Sequence, residues 1–147
     1  MRDATRAVVV ALVTTAALAA SVGAAGAATK PAACTLLTKR AVTKAIGEPA
    51  TNTDTSSDEC WYESKNGLKV VNLIPRTDDV DTWRSGYQND FWTANDYGDE
   101  GYTGKALDSV VWRDGKTEYE VNVVFSTKGD PRTAVEQLAK EVNAKLS

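Results

Sequence analysis

The sequence predicts an α+β fold: a two-layer sandwich in which helices pack on an antiparallel four-stranded sheet, with the element order α-β-β-α-β-β-α. Two turn signals, Asn66-Gly67 and Asp114-Gly115, each lie between stretches rich in β-branched residues, as expected for two-residue hairpin turns. Three other segments carry apolar residues at helical spacing. The predicted domain therefore has two hairpins that form one sheet, helices packed on one face of that sheet, and one disulfide.

The first and last helices have clear boundaries. Thr38 is suited to the N-cap of the first helix, and Gly47 followed by Pro49 ends it. Asp130-Pro131 opens the last helix with an N-cap and a proline at the first helical position. The last helix has an apolar stripe and two i,i+4 ion pairs on the other side. The stripe consists of Val135, Leu138, Ala139, Val142 and Leu146, and the pairs are Glu136–Lys140 and Glu141–Lys145.

The first hairpin joins residues 59–64 to residues 68–75 through Asn66-Gly67. A type I′ turn at this dipeptide requires positive φ at both residues. Pro75 ends the second strand because it cannot donate to the ladder. Residues 52–58 are polar and have no periodicity, which predicts a loop.

The second hairpin joins residues 109–113 to residues 116–126 around Asp114-Gly115. A two-residue turn there places Val110 opposite Tyr119 and Trp112 opposite Thr117. Apolar and polar residues alternate along the second strand, which predicts one buried face and one solvated face. The buried face carries Tyr119, Val121, Val123 and Phe125, and the solvated face carries Glu118, Glu120 and Asn122.

The middle helix is predicted from Val80, Trp83, Tyr87 and Phe91, which recur at three and four residues. Residues 93–105 contain three glycines and fit neither periodicity, so they are expected to form a loop.

Aromatic residues on a helix that faces a curved sheet can line an apolar ligand pocket, although such residues more often fill the core. Because Phe91 and Trp92 are adjacent, one of them is expected near the surface. The predicted ligand-binding residues are Trp83, Tyr87, Phe91, Trp92, Tyr97 and Tyr102.

The N-terminus has the organisation of a secretory signal peptide. A short basic segment with Arg2 and Arg6 precedes residues 7–22, which carry no charge, and residues 23–28 are all glycine or alanine. Cleavage after Ala27 or Ala28 fits the small-residue rule, and the latter is preferred. We therefore expect a signal peptide at residues 1–28 and a single domain at residues 29–147, secreted or associated with the cell envelope.

A permanent membrane anchor is the alternative for this N-terminal segment. The apolar run is shorter than a spanning helix needs and is interrupted by hydroxyl side chains. Lipidation at Cys34 is also disfavoured, because Pro31 stands where a lipobox has an aliphatic residue. No stable membrane insertion is expected after cleavage.

Cys34 and Cys60 are the only cysteines of the chain. An even pair in an exported protein predicts one disulfide.

Charge and composition exclude several classes of function. The full chain carries a formal net charge of −3, and removal of Arg2, Asp3 and Arg6 leaves −4. An acidic domain has no electrostatic preference for nucleic acid or anionic membranes. The chain has no histidine, which removes the usual general base and the commonest metal ligand. No catalytic residue, metal or cofactor is therefore expected.

Carboxylates alone could still support hydrolysis. Asp90, Asp96, Asp99 and Glu100 lie near aromatic residues, a combination that suits sugars. Residues 95–100 also invite a calcium hypothesis, but their spacing differs from that of an EF-hand. A solvated acidic loop explains the same residues more simply.

Three motifs resemble a large group of small actinobacterial secreted proteins and lipoproteins that have domains of unknown function. The motifs are Ala33-Cys34-Thr35-Leu36-Leu37-Thr38, the helix end Ile46-Gly47, and Cys60-Trp61-Tyr62. The resemblance covers the mature chain and implies an extracellular or envelope location. It also implies a compact α+β sandwich similar to the PsbP/Mog1-like fold. It implies no reaction and no catalytic residues.

The leading functional hypothesis is an exported, non-enzymatic binding module for a small apolar molecule or an extracellular protein. The missing catalytic chemistry and the surplus of aromatic residues support it. One alternative is a secreted inhibitor of an extracellular protease or other hydrolase, with residues 51–58 as the bait loop. A carboxylate-only hydrolase is the second alternative.

Overall fold

One antiparallel sheet of seven strands dominates the computed structural model, which describes residues 32–54, 58–105 and 108–147. The order of the strands across the sheet is β1-β2-β3-β7-β6-β5-β4. The strands are β1 (Ala50–Asp54), β2 (Cys60–Ser64), β3 (Lys69–Arg76), β4 (Trp92–Asn95), β5 (Glu100–Gly104), β6 (Ser109–Asp114) and β7 (Thr117–Phe125). The helices of the described part are α1 (Ala33–Leu36), α2 (Lys39–Ile46), α3 (Val80–Tyr87) and α4 (Pro131–Leu146).

The α+β class and the antiparallel sheet are confirmed, but the prediction of four strands is wrong. The three missed strands are β1, β4 and β5, which lay in segments predicted as loops. Both β1 and β4 are edge strands: β1 is mostly polar and exposed, and β4 has only four residues, too few for its alternation to stand out from the loop around it. In β5, a Cβ on Gly101 would lie 2.2 Å from Asn95 Oδ1, so the close approach of β4 explains a glycine inside a strand.

Helices α2 and α4 begin and end as predicted. The Thr38 side chain accepts a hydrogen bond from the Ala41 N–H, and Gly47 adopts a φ of 74° at the C-terminus of α2. Asp130 accepts a hydrogen bond from Thr133 at the start of α4. Of the two predicted ion pairs on α4, Glu141–Lys145 forms at 3.4 Å, whereas Glu136 pairs with Arg132 at 3.3 Å and not with Lys140.

Helix α3 is shorter than predicted, because it ends at Tyr87 and does not reach Phe91. Asn89 provides the physical reason. Its Nδ2 donates to the Gly86 carbonyl and its Oδ1 accepts from the Phe91 N–H. These local bonds compete with the helical pattern, and Trp92 then begins β4.

Both hairpin turns differ from their predicted geometry. At the first turn only Gly67 has positive φ (69°), so the type I′ prediction is wrong. The Asn66 side chain instead accepts from the Leu68 N–H within a longer loop. At the second turn Asp114 pairs with Thr117, so the central residues are Gly115-Lys116.

The pairing of β6 with β7 therefore shifts by two residues from the prediction. Trp112 lies opposite Tyr119, and Val110 lies opposite Val121. A shift of two residues leaves every side chain on its predicted face.

Helices α1, α2 and α4 cover one face of the sheet, which we call the first face. Strand β7 contributes Tyr119, Val121 and Val123 to the hydrophobic core on this face, as predicted. The disulfide between Cys34 and Cys60 is also confirmed, with Cα atoms 5.0 Å apart, and it ties α1 to β2.

Helix α3 lies on the opposite side of the sheet, which we call the second face. Its Tyr87 hydroxyl donates to Glu118 Oε1 at 3.1 Å, and Glu118 points away from the neighbouring core residue Tyr119 because side chains alternate along β7. The prediction that all helices share one face therefore fails for α3. The aromatic side chains of α3 require a second buried surface, because the first face is already covered.

Within the described part of the chain, no helix has the length and apolar character needed to cross a membrane. The predicted signal peptide at residues 1–28 lies outside the described residues.

Removal of the disulfide should destabilise the domain. Its closed loop separates the cysteines by 26 residues, and cross-linking a loop of this size is worth about 3.5 kcal/mol through unfolded-state entropy. We expect Cys34→Ala/Cys60→Ala to lower the free energy of unfolding by about that amount in a urea titration. Reduced wild-type protein keeps both sulfur atoms and is the matched control. If the alanine variant lost stability and the reduced wild-type protein did not, the loss would come from side-chain packing and would contradict the expectation.

Candidate functional site

The second face of the sheet has a covered half and an open half. Helix α3 covers the half formed by β4, β5, β6 and the start of β7. The open half is formed by β2, β3, the end of β7 and the start of β6. Four aromatic side chains lie between α3 and the sheet, two of them from α3 itself. We call these four the aromatic cluster: Trp83, Tyr87, Trp92 and Tyr102.

The rings of the aromatic cluster pack on one another. The ring centroids of Trp83 and Tyr87 are 5.3 Å apart, and those of Trp83 and Tyr102 are 5.6 Å apart. Tyr87 meets Trp92 edge-on at 4.8 Å. Such distances are those of paired aromatic side chains in a core. The geometry thus favours the interpretation that these residues fill the space between α3 and the sheet.

The two other predicted ligand-binding residues lie elsewhere. Phe91 is 70% exposed at the turn between α3 and β4, which agrees with the expectation that Phe91 or Trp92 lies near the surface. Tyr97 packs on the first face, with its ring 6.0 Å from that of Trp112. The six predicted residues therefore do not form a single site.

A buried carboxyl group lies beneath α3. Glu118 is 1% exposed, and its Oε2 has no hydrogen-bond partner among the described residues. Burial raises the pKa of Glu118, and the hydrogen bond from Tyr87 opposes this rise. The alternation of β7 predicted Glu118 on a solvated face, and that prediction is wrong because α3 covers it. No local signal in the sequence distinguishes it from Glu120.

The side chain of Arg113, on β6, contacts both a ring of α3 and the backbone just before that helix. Its guanidinium group lies 5.5 Å from the centroid of the Trp83 ring, within the range of a cation–π interaction. Its Nη1 also donates to the Asp78 carbonyl at 3.2 Å, just before the helix begins. These contacts give the 8%-exposed arginine a structural role at the N-terminus of α3.

Two of the four candidate carboxylates, Glu100 and Asp99, are held by hydrogen bonds to neighbouring residues. Glu100 accepts hydrogen bonds from Tyr102 at 2.6 Å and from Arg84 at 2.7 Å. Burial acts to raise the pKa of Glu100, but these two bonds outweigh it and the pKa is lowered. A general acid needs a raised pKa. Asp99 accepts from the Gly115 N–H at 2.8 Å and ties two hairpins together.

The remaining residues of the acidic segment also have structural contacts or point to solvent. Asp90 and Asp96 are exposed. Asn95 Oδ1 accepts from the Tyr97 N–H, and the Gly98 N–H donates to Asn143 Oδ1. Across the described ranges there is no group of three or more acidic, cysteine or histidine side chains that could hold a metal ion.

A polar cleft of about 340 Å³ lies between α3 and strands β5 and β6. Arg84 and Glu100 line it and form an ion pair at 2.7 Å. Because Arg84 and Glu100 neutralise each other, neither of these two charges is left unpaired for a ligand in the cleft.

The candidate inhibitory loop is shorter than predicted. Its first four residues belong to the edge strand β1, where Thr51 pairs with Glu63 and Asp54 pairs with Trp61. Residues 55–57 lie outside the described residues. The prediction that residues 51–54 form a loop is therefore wrong, because they pair with β2 as an edge strand.

The open half of the second face forms a groove of about 470 Å³, which we call the open groove. One row of side chains crosses four adjacent strands along it, because Trp61 pairs with Asn72, Asn72 with Asn122, and Asn122 with Ser109. Val70 and Val124 form the next row, and Val124 is 57% exposed. None of these residues was predicted from the sequence to belong to a site.

Hydrogen bonds connect the polar members of this row. The Ser109 hydroxyl donates to Asn122 Oδ1. Asn122 Nδ2 donates to Asn72 Oδ1 and to Glu120 Oε1, both at 3.1 Å. At the end of the row, Trp61 Nε1 donates to Glu59 Oε2 at 2.7 Å. The floor of the groove is therefore an ordered polar network with an aromatic side chain at one end.

Comparisons with protein-family models, with curated proteins and with solved structures give no match to this chain.

The buried carboxyl group should make stability depend on pH. Because the pKa of Glu118 is raised in the folded protein, the ionised carboxylate costs stability as the pH rises from the ordinary value of 4.5 through the raised value. Below 4.5 both the folded and unfolded states are protonated, and the cost disappears. We expect Glu118→Gln to gain stability relative to wild type as the pH rises through this window, measured by urea unfolding at several pH values.

Glu63→Gln is the matched control for the Glu118 variant. It removes the same charge from a partly exposed position on the same face of the sheet. If the stability difference between Glu118→Gln and wild type were the same at every pH, the buried-carboxyl account would be wrong.

Proposed function

We propose that this chain is an exported, non-enzymatic binding module whose ligand lies in the open groove. The half of the second face that no described helix covers is the observation that carries the proposal. There, a groove of about 470 Å³ combines the apolar side chains of Val70 and Val124 with an ordered row of polar side chains beside them. Ligand sites typically combine mostly apolar walls with a few fixed polar groups.

The proposal of export rests on two features. The first is the order of basic, apolar and small-residue segments at residues 1–28. The second is the disulfide between Cys34 and Cys60, a bond that persists in oxidising compartments. The motif resemblance to small actinobacterial secreted proteins supports the same location, either free outside the cell or associated with the envelope.

The proposal of a non-enzymatic role rests on the contacts of the candidate acids. Glu100 is held ionised by its two hydrogen-bond donors, and Asp99 accepts a backbone N–H. Glu118 has the raised pKa of a general acid but is 1% exposed beneath α3. A carboxyl group out of reach of substrate cannot transfer a proton to it.

A variant with a blocked groove tests this proposal. Val124→Arg places a long charged side chain at an exposed position of the open groove, whereas Phe91→Arg makes the same charge change at an exposed position outside it. Native mass spectrometry of protein from the culture medium of its own host should show a bound mass in wild type and Phe91→Arg. That mass should be lost in Val124→Arg.

The same spectra report the mature N-terminus and the oxidation of the cysteines. A bound mass that Val124→Arg retains would place the ligand elsewhere and overturn the site. A bare monomer mass for the wild-type protein would contradict the binding of a small molecule.

A further inference from the structure

The amide orientations along the floor of the open groove follow from one carboxylate. Glu120 forms an ion pair with Arg76 at 3.0 Å, and an ionised carboxylate only accepts hydrogen bonds. Asn122 must therefore turn its Nδ2 toward Glu120 Oε1, which leaves its Oδ1 to accept from Ser109. The second proton of Asn122 Nδ2 goes to Asn72 Oδ1.

This chain of bonds leaves one donor without a partner. Asn72 presents its oxygen to Asn122, and its Nδ2 donates to none of the residues that the structure describes. Yet Asn72 is only 7% exposed and lines the open groove. The Nδ2 atom is not among the buried unpaired atoms of the described residues, so it is accessible from the groove. The groove therefore contains an unpaired donor that a ligand oxygen can reach.

Trp61 stands directly opposite Asn72 in the ladder between β2 and β3. Its only donor, Nε1, is used by Glu59 at 2.7 Å. The indole is thereby fixed in one orientation, and its remaining contribution to the groove is an apolar ring surface.

The charge of the groove argues against an anionic ligand. No lysine or arginine is among the described residues that line it, and the charged side chain among them is Asp108. A phosphate or carboxylate would thus meet a negative group without a countercharge. The ligand must accept a hydrogen bond from Asn72, tolerate or donate to Asp108, and lay an apolar surface on Trp61.

We propose that the open groove binds a neutral glycan, with one pyranose ring stacked on Trp61 and one sugar oxygen accepting from Asn72 Nδ2. A pyranose meets all three demands, because its hydroxyls both donate and accept while its ring C–H groups form an apolar face. The row from Trp61 to Ser109 spans three interstrand spacings, roughly 14 Å in total, so an oligosaccharide fits it better than one ring. This inference rests on the proposed function and names its ligand class.

Binding to an array of neutral, sialylated and sulfated oligosaccharides tests the proposal. We expect wild-type protein to bind neutral glycans, with free maltotriose, cellotriose and tri-N-acetylchitotriose as competitors in solution. Trp61→Leu removes the aromatic face. Asn72→Asp keeps the acceptor for Asn122 and removes the free donor. Each variant should weaken binding by about tenfold or more, whereas Phe91→Ala should change it less than about twofold.

Two results would overturn the glycan proposal. One is that wild-type protein binds no neutral glycan, or binds only anionic ones. The other is that Trp61→Leu, which substitutes a partly exposed side chain and should fold normally, binds as tightly as wild type. Urea unfolding of each variant separates loss of binding from loss of folding.

Native mass spectrometry distinguishes failure of the glycan proposal from failure of the binding-module proposal. A bound mass that Val124→Arg loses, together with a silent glycan array, would retain the groove and reject the sugar. A bound mass that matches a peptide or an organic cation would do the same. No bound mass and no glycan binding would reject both proposals.

Discussion

The burial of the start of β7 on both faces determines the rest of this architecture. Tyr119, Val121 and Val123 point into the core beneath α4, while Glu118 on the other side receives a hydrogen bond from Tyr87 of α3. That bond, with the stacking of Arg113 on Trp83, fixes α3 over one half of the second face. The other half stays open because no described helix covers it, and the open groove exists there for that reason.

Aromatic side chains on the two halves of the second face have different surroundings. Beneath α3, aromatic rings lie 4.8–6.2 Å apart and pack on one another, with Trp83 buried and the other three rings partly exposed. In the open groove, Trp61 stands beside a polar row that ends in an unused donor on Asn72. The number of aromatic rings therefore does not distinguish the two halves, whereas access to an unpaired polar atom does: Glu118 Oε2 is buried and unpaired beneath α3, and Asn72 Nδ2 is unpaired in the open groove.

Local chemistry in the sequence predicts much of the fold but little of the site. Thr38, Gly47 and Asp130 specify helix ends through short-range hydrogen bonds and backbone freedom, so α2 and α4 were predictable. At the sheet edges, β1 is mostly polar and β4 has only four residues, so neither strand leaves a hydrophobic pattern long enough to predict it. Glu118 and Asn72 are buried by distant elements; the sequence shows Glu118 only as a polar member of an alternating strand and Asn72 as one polar residue within an aliphatic strand.

The most direct test of the groove uses the four tryptophans as internal reporters. Amide and indole NMR spectra of protein recovered from its host's medium can be compared with those of the same protein after ligand is removed by non-reducing unfolding and refolding. The account predicts shifts at the Trp61 indole and at the side-chain amides of Asn72 and Asn122. Unchanged signals there, with shifts at Trp83 and Trp92 instead, would place the ligand beneath α3 and contradict the account.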